Sequence, residues 1–77
     1  MLTKRERFKK WFPYRIEQTQ ERLRMLGNCS KKNNYEWKER EVTCGFGGLM
    51  RDFIKTAGHF GVTVTAQVDG IEVRVID

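Results

Sequence analysis

The feature that most constrains this chain is the dipeptide Asp69-Gly70, set between two alternating apolar runs. Asp-Gly is a favoured two-residue hairpin turn because both of its central residues must take positive φ. Before it, Val62, Val64, Ala66 and Val68 alternate with Thr63, Thr65 and Gln67; after it, Ile71, Val73 and Val75 alternate with Glu72 and Arg74. A two-residue turn pairs Val68 with Ile71, Ala66 with Val73, and Val64 with Val75. All six fall on one face, so register and hydrophobic pattern agree. Gln67 with Glu72 and Thr65 with Arg74 make the opposite, solvent-facing side. A lone hairpin is marginal in water, so its apolar face calls for a helix to pack on.

Two helices are predicted upstream. Thr3 and Glu6 have the spacing of a capping box, which starts a helix at Lys4. Phe8, Trp11, Phe12 and Ile16 follow at helical spacing, and Thr19, Leu23 and Leu26 continue the stripe. Pro13 interrupts it, because an interior proline loses a backbone hydrogen bond and clashes with the previous turn. The spacing therefore predicts either a kink there or a new helix with Pro13 in its first turn. Gly27 and Asn28 stop the helix, since both tolerate a left-handed cap, and residues 29–34 read as a polar loop. Residues 35–45 allow two readings. Val42, Phe46, Leu49, Met50, Phe53 and Ala57 recur at helical spacing, whereas Gly45, Gly47 and Gly48 oppose a helix at about 1 kcal/mol each. A helix over 39–58, ended by Gly58 or Gly61, is preferred to a strand over 35–44 followed by a helix from Gly48.

These elements make an α+β fold: two helical segments packed on a small antiparallel sheet with a C-terminal β-hairpin. The chain of 77 residues reads as one domain, 1–77. Phe46, Leu49, Phe53 and Ala57 are the expected platform for the hairpin, with Val64, Val68, Val73 and Val75 buried against Leu49 and Phe53. A core of this size leaves a thin margin of stability, which a partner or a staple often supplements.

Charge is sorted along the chain. The formal net charge is +5. Residues 1–32 hold ten basic and three acidic side chains, whereas residues 33–77 hold five basic and seven acidic ones. Such segregation suits an anionic partner at the N-terminal half. Lys4, Arg5, Arg7, Lys9, Lys10 and Arg15, with Lys31 and Lys32 in the loop, form the candidate surface for nucleic acid or an acidic partner. Lysine and arginine on one face supply phosphate contacts that need no sequence reading. Glu6, Glu17 and Glu21 are interleaved, and Glu6 has the spacing to pair with Lys10. The aromatics Phe8, Trp11 and Phe12 could stack on bases, but their helical period assigns them first to a core. The same residues also fit a basic amphipathic helix on a membrane surface, a use that competes with the core for one stripe.

Catalytic and metal chemistry find little support. Structural zinc needs four ligands, usually in closely spaced pairs, and this chain offers Cys29, Cys44 and His59. No metal, other cofactor or catalytic residue is expected. A Cys–His pair is conceivable, but a histidine at a helix end more commonly meets the last carbonyls. The cluster Gly45-Phe46-Gly47-Gly48 lacks both the dinucleotide fingerprint and the phosphate-binding lysine; a bend, or close approach of helix and sheet, is the expected use. There is no secretory signal pattern at the start and no run near the ~20 apolar residues that span a bilayer. Reduced thiols in a cytoplasm follow.

Arg22 to Val42, which includes Leu26-Gly27-Asn28-Cys29-Ser30 and Asn34-Tyr35-Glu36-Trp37, resembles a recurrent segment of short uncharacterised proteins from Firmicute phages and integrative mobile elements. In those, a helix ends in L-G-N-C-S, a polar loop follows, and N-Y-E-Y leads into a second helix. Lys38 departs from the pattern where a capping Ser or Thr is expected. The resemblance implies a mobile-element accessory protein in a bacterial host cytoplasm, with Cys29 in a helix-ending turn. Two functions fit: binding nucleic acid through the basic N-terminal helical surface, or binding a host protein or ribonucleoprotein complex, as an anti-CRISPR-type inhibitor of a host nuclease complex does. No membrane partner is expected, and a homodimer is left open.

Overall fold

The computed structural model describes residues 1–75. Its elements are α1 (Lys4–Gly27), a 3₁₀ turn (Asn28–Ser30), α2 (Glu39–Gly58), β1 (Gln67–Val68) and β2 (Ile71–Glu72). The architecture is α+β at this level: two helices and a two-stranded antiparallel sheet. The chain forms two compact units, Met1–Glu36 and Trp37–Asp77.

In the N-terminal unit, α1 begins where the capping box places it. The Thr3 hydroxyl accepts the Glu6 N–H at 3.1 Å, and the Glu6 carboxylate accepts the Thr3 N–H at 3.2 Å. Two of the four unpaired donors of a helix start are thereby satisfied. Pro13 starts no new helix, as α1 continues through it to Gly27. What the proline removes is a single N–H, the one the Lys9 carbonyl would otherwise accept. Thr19 fits the apolar stripe because its hydroxyl is spent on the Arg15 carbonyl, 2.8 Å away. The end of α1 differs from expectation. Gly27 (φ −60°) and Asn28 (φ −64°) are both right-handed. The chain tightens into the 3₁₀ turn carrying Cys29 and Ser30, and stops only when Lys31 becomes extended. The polar loop is therefore shorter than residues 29–34; a turn closed by the Lys31 carbonyl, which accepts the N–H groups of Asn34 and Tyr35, fills most of it.

In the C-terminal unit, α2 covers residues 39–58 without a break at the glycines. Lysine cannot accept a hydrogen bond, so only half of its N-terminal box forms: the Glu41 carboxylate accepts the Lys38 N–H at 3.1 Å. At the other end, Gly61 N–H reaches the Gly58 carbonyl and Val62 N–H the Ala57 carbonyl, with Gly61 at φ +74°. This is a Schellman ending, and it needs a left-handed residue at that position. The helix thus ends on the conformation of Gly61, three residues beyond Gly58. No helix–sheet approach explains Gly45, Gly47 or Gly48, since a Cβ at each would meet nothing within 4 Å.

The hairpin has the predicted register, Gln67 opposite Glu72 and Val68 opposite Ile71. Asp69 (φ 50°) and Gly70 (φ 78°) both turn left-handed, as a two-residue turn of this kind requires. The Val73 N–H donates to the Ala66 carbonyl at 2.9 Å, carrying the register one step past the strands. β1 lies against α2. The apolar contact is shallower than expected: among the described residues none is fully buried. Ala66, Val68, Val73 and Val75 are half-buried, as are Thr43, Gly47, Leu49, Met50, Phe53, Ile54 and Ala57 on α2. Phe46 (42% exposed), Val64 (37%) and Ile71 (74%) are not, which corrects their assignment to the covered face. Leu49, Phe53 and Ala57 of the expected platform are thus partly covered, and the covered face of α2 is wider than expected, taking in Thr43, Gly47, Met50 and Ile54 as well. Open space of about 360 Å³ remains between Thr43, Cys44, Gly47 and Arg51 of α2 and Val68 and Val73 of the hairpin.

Alanine at the glycines separates their roles. Gly47→Ala and Gly48→Ala are expected to stabilise α2 by about 1 kcal/mol each, because both sit in a helix interior. Gly61→Ala and Gly70→Ala are expected to destabilise by about 1–2 kcal/mol each, the cost of a side chain in the left-handed region. Denaturant melts of the four variants check the opposite signs.

Candidate nucleic-acid interface

All eight cations of the candidate surface lie in Met1–Glu36. Lys4, Arg5, Arg7, Lys9, Lys10 and Arg15 stand on α1, and Lys31 and Lys32 follow the 3₁₀ turn. Every one is exposed.

Their arrangement follows from a repeat of about 3.6 residues per turn. Lys4, Arg7, Trp11, Arg15 and Arg22 recur at intervals of three, four or seven residues and so form one column along α1. It contains no acidic residue. Phe8, Phe12, Ile16, Thr19, Leu23 and Leu26 form the adjoining stripe, with Arg5 at its head and Lys9 on its far border. Glu6, Glu17 and Glu21 share the opposite side of the helix, together with Lys10 and Arg24. The three carboxylates are thereby kept away from the cationic column.

Two of those carboxylates have local partners. Glu6 accepts from Thr3 rather than pairing with Lys10, and the bonds from Thr3 hold its pKa below the usual value near 4.5. Glu21 binds Arg24 through both carboxylate oxygens, one of them 3.1 Å from Nε. That pairing lowers the Glu21 pKa and raises that of Arg24. Arg24 is consequently paired, whereas the cations of the column face no carboxylate on their own side.

The aromatics belong to the same surface. Phe8 and Phe12 are stacked, with ring centroids 4.8 Å apart and planes 19° apart. Trp11 and Tyr14 meet edge to face at 6.0 Å. The Arg5 guanidinium lies 5.8 Å from the Phe8 centroid, and the Lys10 ammonium 5.1 Å from that of Trp11. Phe8, Trp11, Phe12 and Tyr14 are each more than a third exposed. No second element of this unit covers the stripe, so within Met1–Glu36 these rings are surface rather than core. Tyr14 was missed by reading along the stripe; its position three residues after Trp11 was the available signal.

The remaining candidates are dispersed. Cys29 and Cys44 are exposed and unbridged. Cys44 lies in the second turn of α2 and His59 just past its last residue, roughly 22 Å apart along the axis at 1.5 Å per residue, so they do not form a pair. Among the described residues no three His, Cys, Asp or Glu side chains cluster as metal ligands. No helix among those residues is long and apolar enough to cross a membrane.

The cap gives a pH signature. A lowered Glu6 pKa contributes stability above its usual value that is lost as pH falls through the lowered one. The helix signal of the first turn is thus expected to weaken only below about pH 4.5. Thr3→Ala removes the hydroxyl's share of that lowering and keeps the backbone N–H, so carboxyl NMR titration of Glu6 should then move part of the way up toward the ordinary glutamate range.

Comparison with known proteins adds no relative: no protein-family model matches the chain, and no curated protein or solved structure is significantly similar to it.

Proposed function

We propose that the N-terminal unit binds nucleic acid through phosphate contacts from Lys4, Arg5, Arg7, Lys9, Lys10, Arg15, Lys31 and Lys32. The observation that carries this reading is the sorting of charge. All eight cations are exposed in one unit, while Glu6 and Glu21 are turned to local partners. Charges placed for solubility alone would gain nothing from a carboxylate-free column. Phosphate contacts give affinity with little sequence preference, and that affinity falls steeply with salt. The segment around Leu26–Ser30 and Asn34–Trp37 supports a role as an accessory protein of a phage or integrative element, acting in the bacterial cytoplasm.

One observation favours a second reading. The exposed apolar stripe of α1 resembles the face that an amphipathic helix lays into a protein groove. On that reading the partner is a host protein or ribonucleoprotein, such as a nuclease complex that the protein inhibits, and the cations meet its acidic surface.

Titrating oligonucleotide affinity against salt tests the first reading. The logarithmic slope is expected to be several units negative, at about −0.7 to −0.9 per phosphate contact. The Lys9→Glu, Lys10→Glu double variant should weaken binding and shallow the slope by about 1.5 units, with unchanged circular dichroism. A pull-down with and without nuclease separates the two readings. Recovery of nucleic acid alone supports phosphate binding, whereas a stoichiometric protein that survives nuclease and the lysine reversals overturns it.

A further inference from the structure

We propose that the nucleic acid taken by α1 is single-stranded, with its unstacked bases received by Trp11 and the neighbouring rings; this rests on the phosphate-binding reading above. The argument starts from what lies among the cations. Trp11 stands between Arg7 and Arg15, one turn away on either side at i−4 and i+4, on the column that carries no acid. Phe8, Phe12 and Tyr14 lie within one turn of it and are exposed with it. A helix that reads duplex DNA presents polar side chains to base edges and to phosphates. Trp11 in that position, flanked by Phe8 and Tyr14, would instead desolvate base edges without bonding them, and the faces of paired bases are already covered by one another. Unpaired bases offer free faces, and aromatic side chains beside a cationic track are the ordinary platform for them.

Magnitudes decide whether the rings can be reached. The Lys10 ammonium lies over Trp11 and the Arg5 guanidinium lies near Phe8. Each such contact at an exposed site is worth about 0.5–1 kcal/mol. Stacking of a base on an aromatic side chain is worth about 1–3 kcal/mol. The base therefore displaces the cation, and the displaced lysine becomes available to a phosphate of the same strand. Lys10, which sits toward the acidic side of the helix, is brought to the ligand by this exchange. Ring and cation then act on adjacent parts of one nucleotide chain.

Fluorescence anisotropy of labelled oligonucleotides tests the inference on the full chain. The probes are a single-stranded DNA, the matching RNA, and the duplex of the same DNA sequence. The single strands are expected to bind about tenfold or more tightly than the duplex at equal salt. Trp11→Leu keeps apolar bulk but has no ring, and should lose most of that preference; Trp11→Phe should restore it. The salt slope should stay nearly constant between Trp11→Leu and the parent, because phosphates remain paired with the other cations. Equal affinity for single strand and duplex, with Trp11→Leu harmless, would sink the single-strand inference and leave phosphate binding standing. Absence of binding to all three probes would overturn the phosphate-binding reading and this inference together.

Discussion

The turn at Asp69-Gly70 is the constraint on which the C-terminal unit depends. Two consecutive left-handed residues leave the chain one way to return, and that return sets Val68 opposite Ile71. With the register fixed, Ala66, Val68, Val73 and Val75 arrive half-buried in the unit whose helix is α2. A slip of one residue in the returning strand would reverse its face and set Glu72 and Arg74, instead of Val73 and Val75, beside Ala66 and Val68. Gly61 plays the matching part upstream, because its left-handed conformation ends α2 and lets residues 62–66 lead into the hairpin. Two backbone positions therefore place a small apolar contact that side-chain packing alone holds only loosely.

The N-terminal unit has a different balance. Its helix is held by local devices: the reciprocal Thr3–Glu6 cap, the Glu21–Arg24 pair and the ring contacts along the first turns. None of these gathers apolar surface from water on the scale that burial would, at about 25 cal/mol per Å². The surface that remains is ordered by chemistry, with the acids, Lys10 and Arg24 on one side and the rings with the remaining cations on the other. Local bonds occupy Glu6 and Glu21, which leaves the positive field of the helix concentrated where the aromatics stand. In this protein, the same carboxylate that starts the helix is withdrawn from competition with a ligand.

Much of this could be read from the residues. The capping box, the hairpin register and the span of α2 all follow from spacing rules that involve near neighbours in the chain. The sequence pattern was less informative where three-dimensional proximity decides. The covered face of α2 takes in Met50 and Ile54 besides Leu49, Phe53 and Ala57 but leaves Phe46 exposed, because helical spacing marks a face and not how far along the helix that face is covered. Val64 lies on the correct side of the hairpin pattern, yet beyond the reach of close packing. Gly27 and Asn28 carry a left-handed preference that the 3₁₀ turn does not use. The eight candidate cations were legible as a charge run; the carboxylate-free column among them required the helix to be continuous through Pro13. The placement of Lys10 over an indole, rather than beside Glu6, turned on the competing bond from Thr3.

Pro13 has a consequence for how α1 opens. Helix unravelling proceeds from an end, one hydrogen bond at a time, and the cost of re-nucleation makes each continuous ladder a cooperative block. The missing N–H at position 13 weakens the ladder between the aromatic first half and the aliphatic second half. Amide exchange in the two halves should then be governed by separate opening events, each with its own free energy. The segment carrying Phe8, Trp11 and Phe12 can thus fluctuate while the ladder from Tyr14 to Gly27 stays closed. A proline that is costly to the helix as a whole acts in this way as a partition between an adaptable surface and its support.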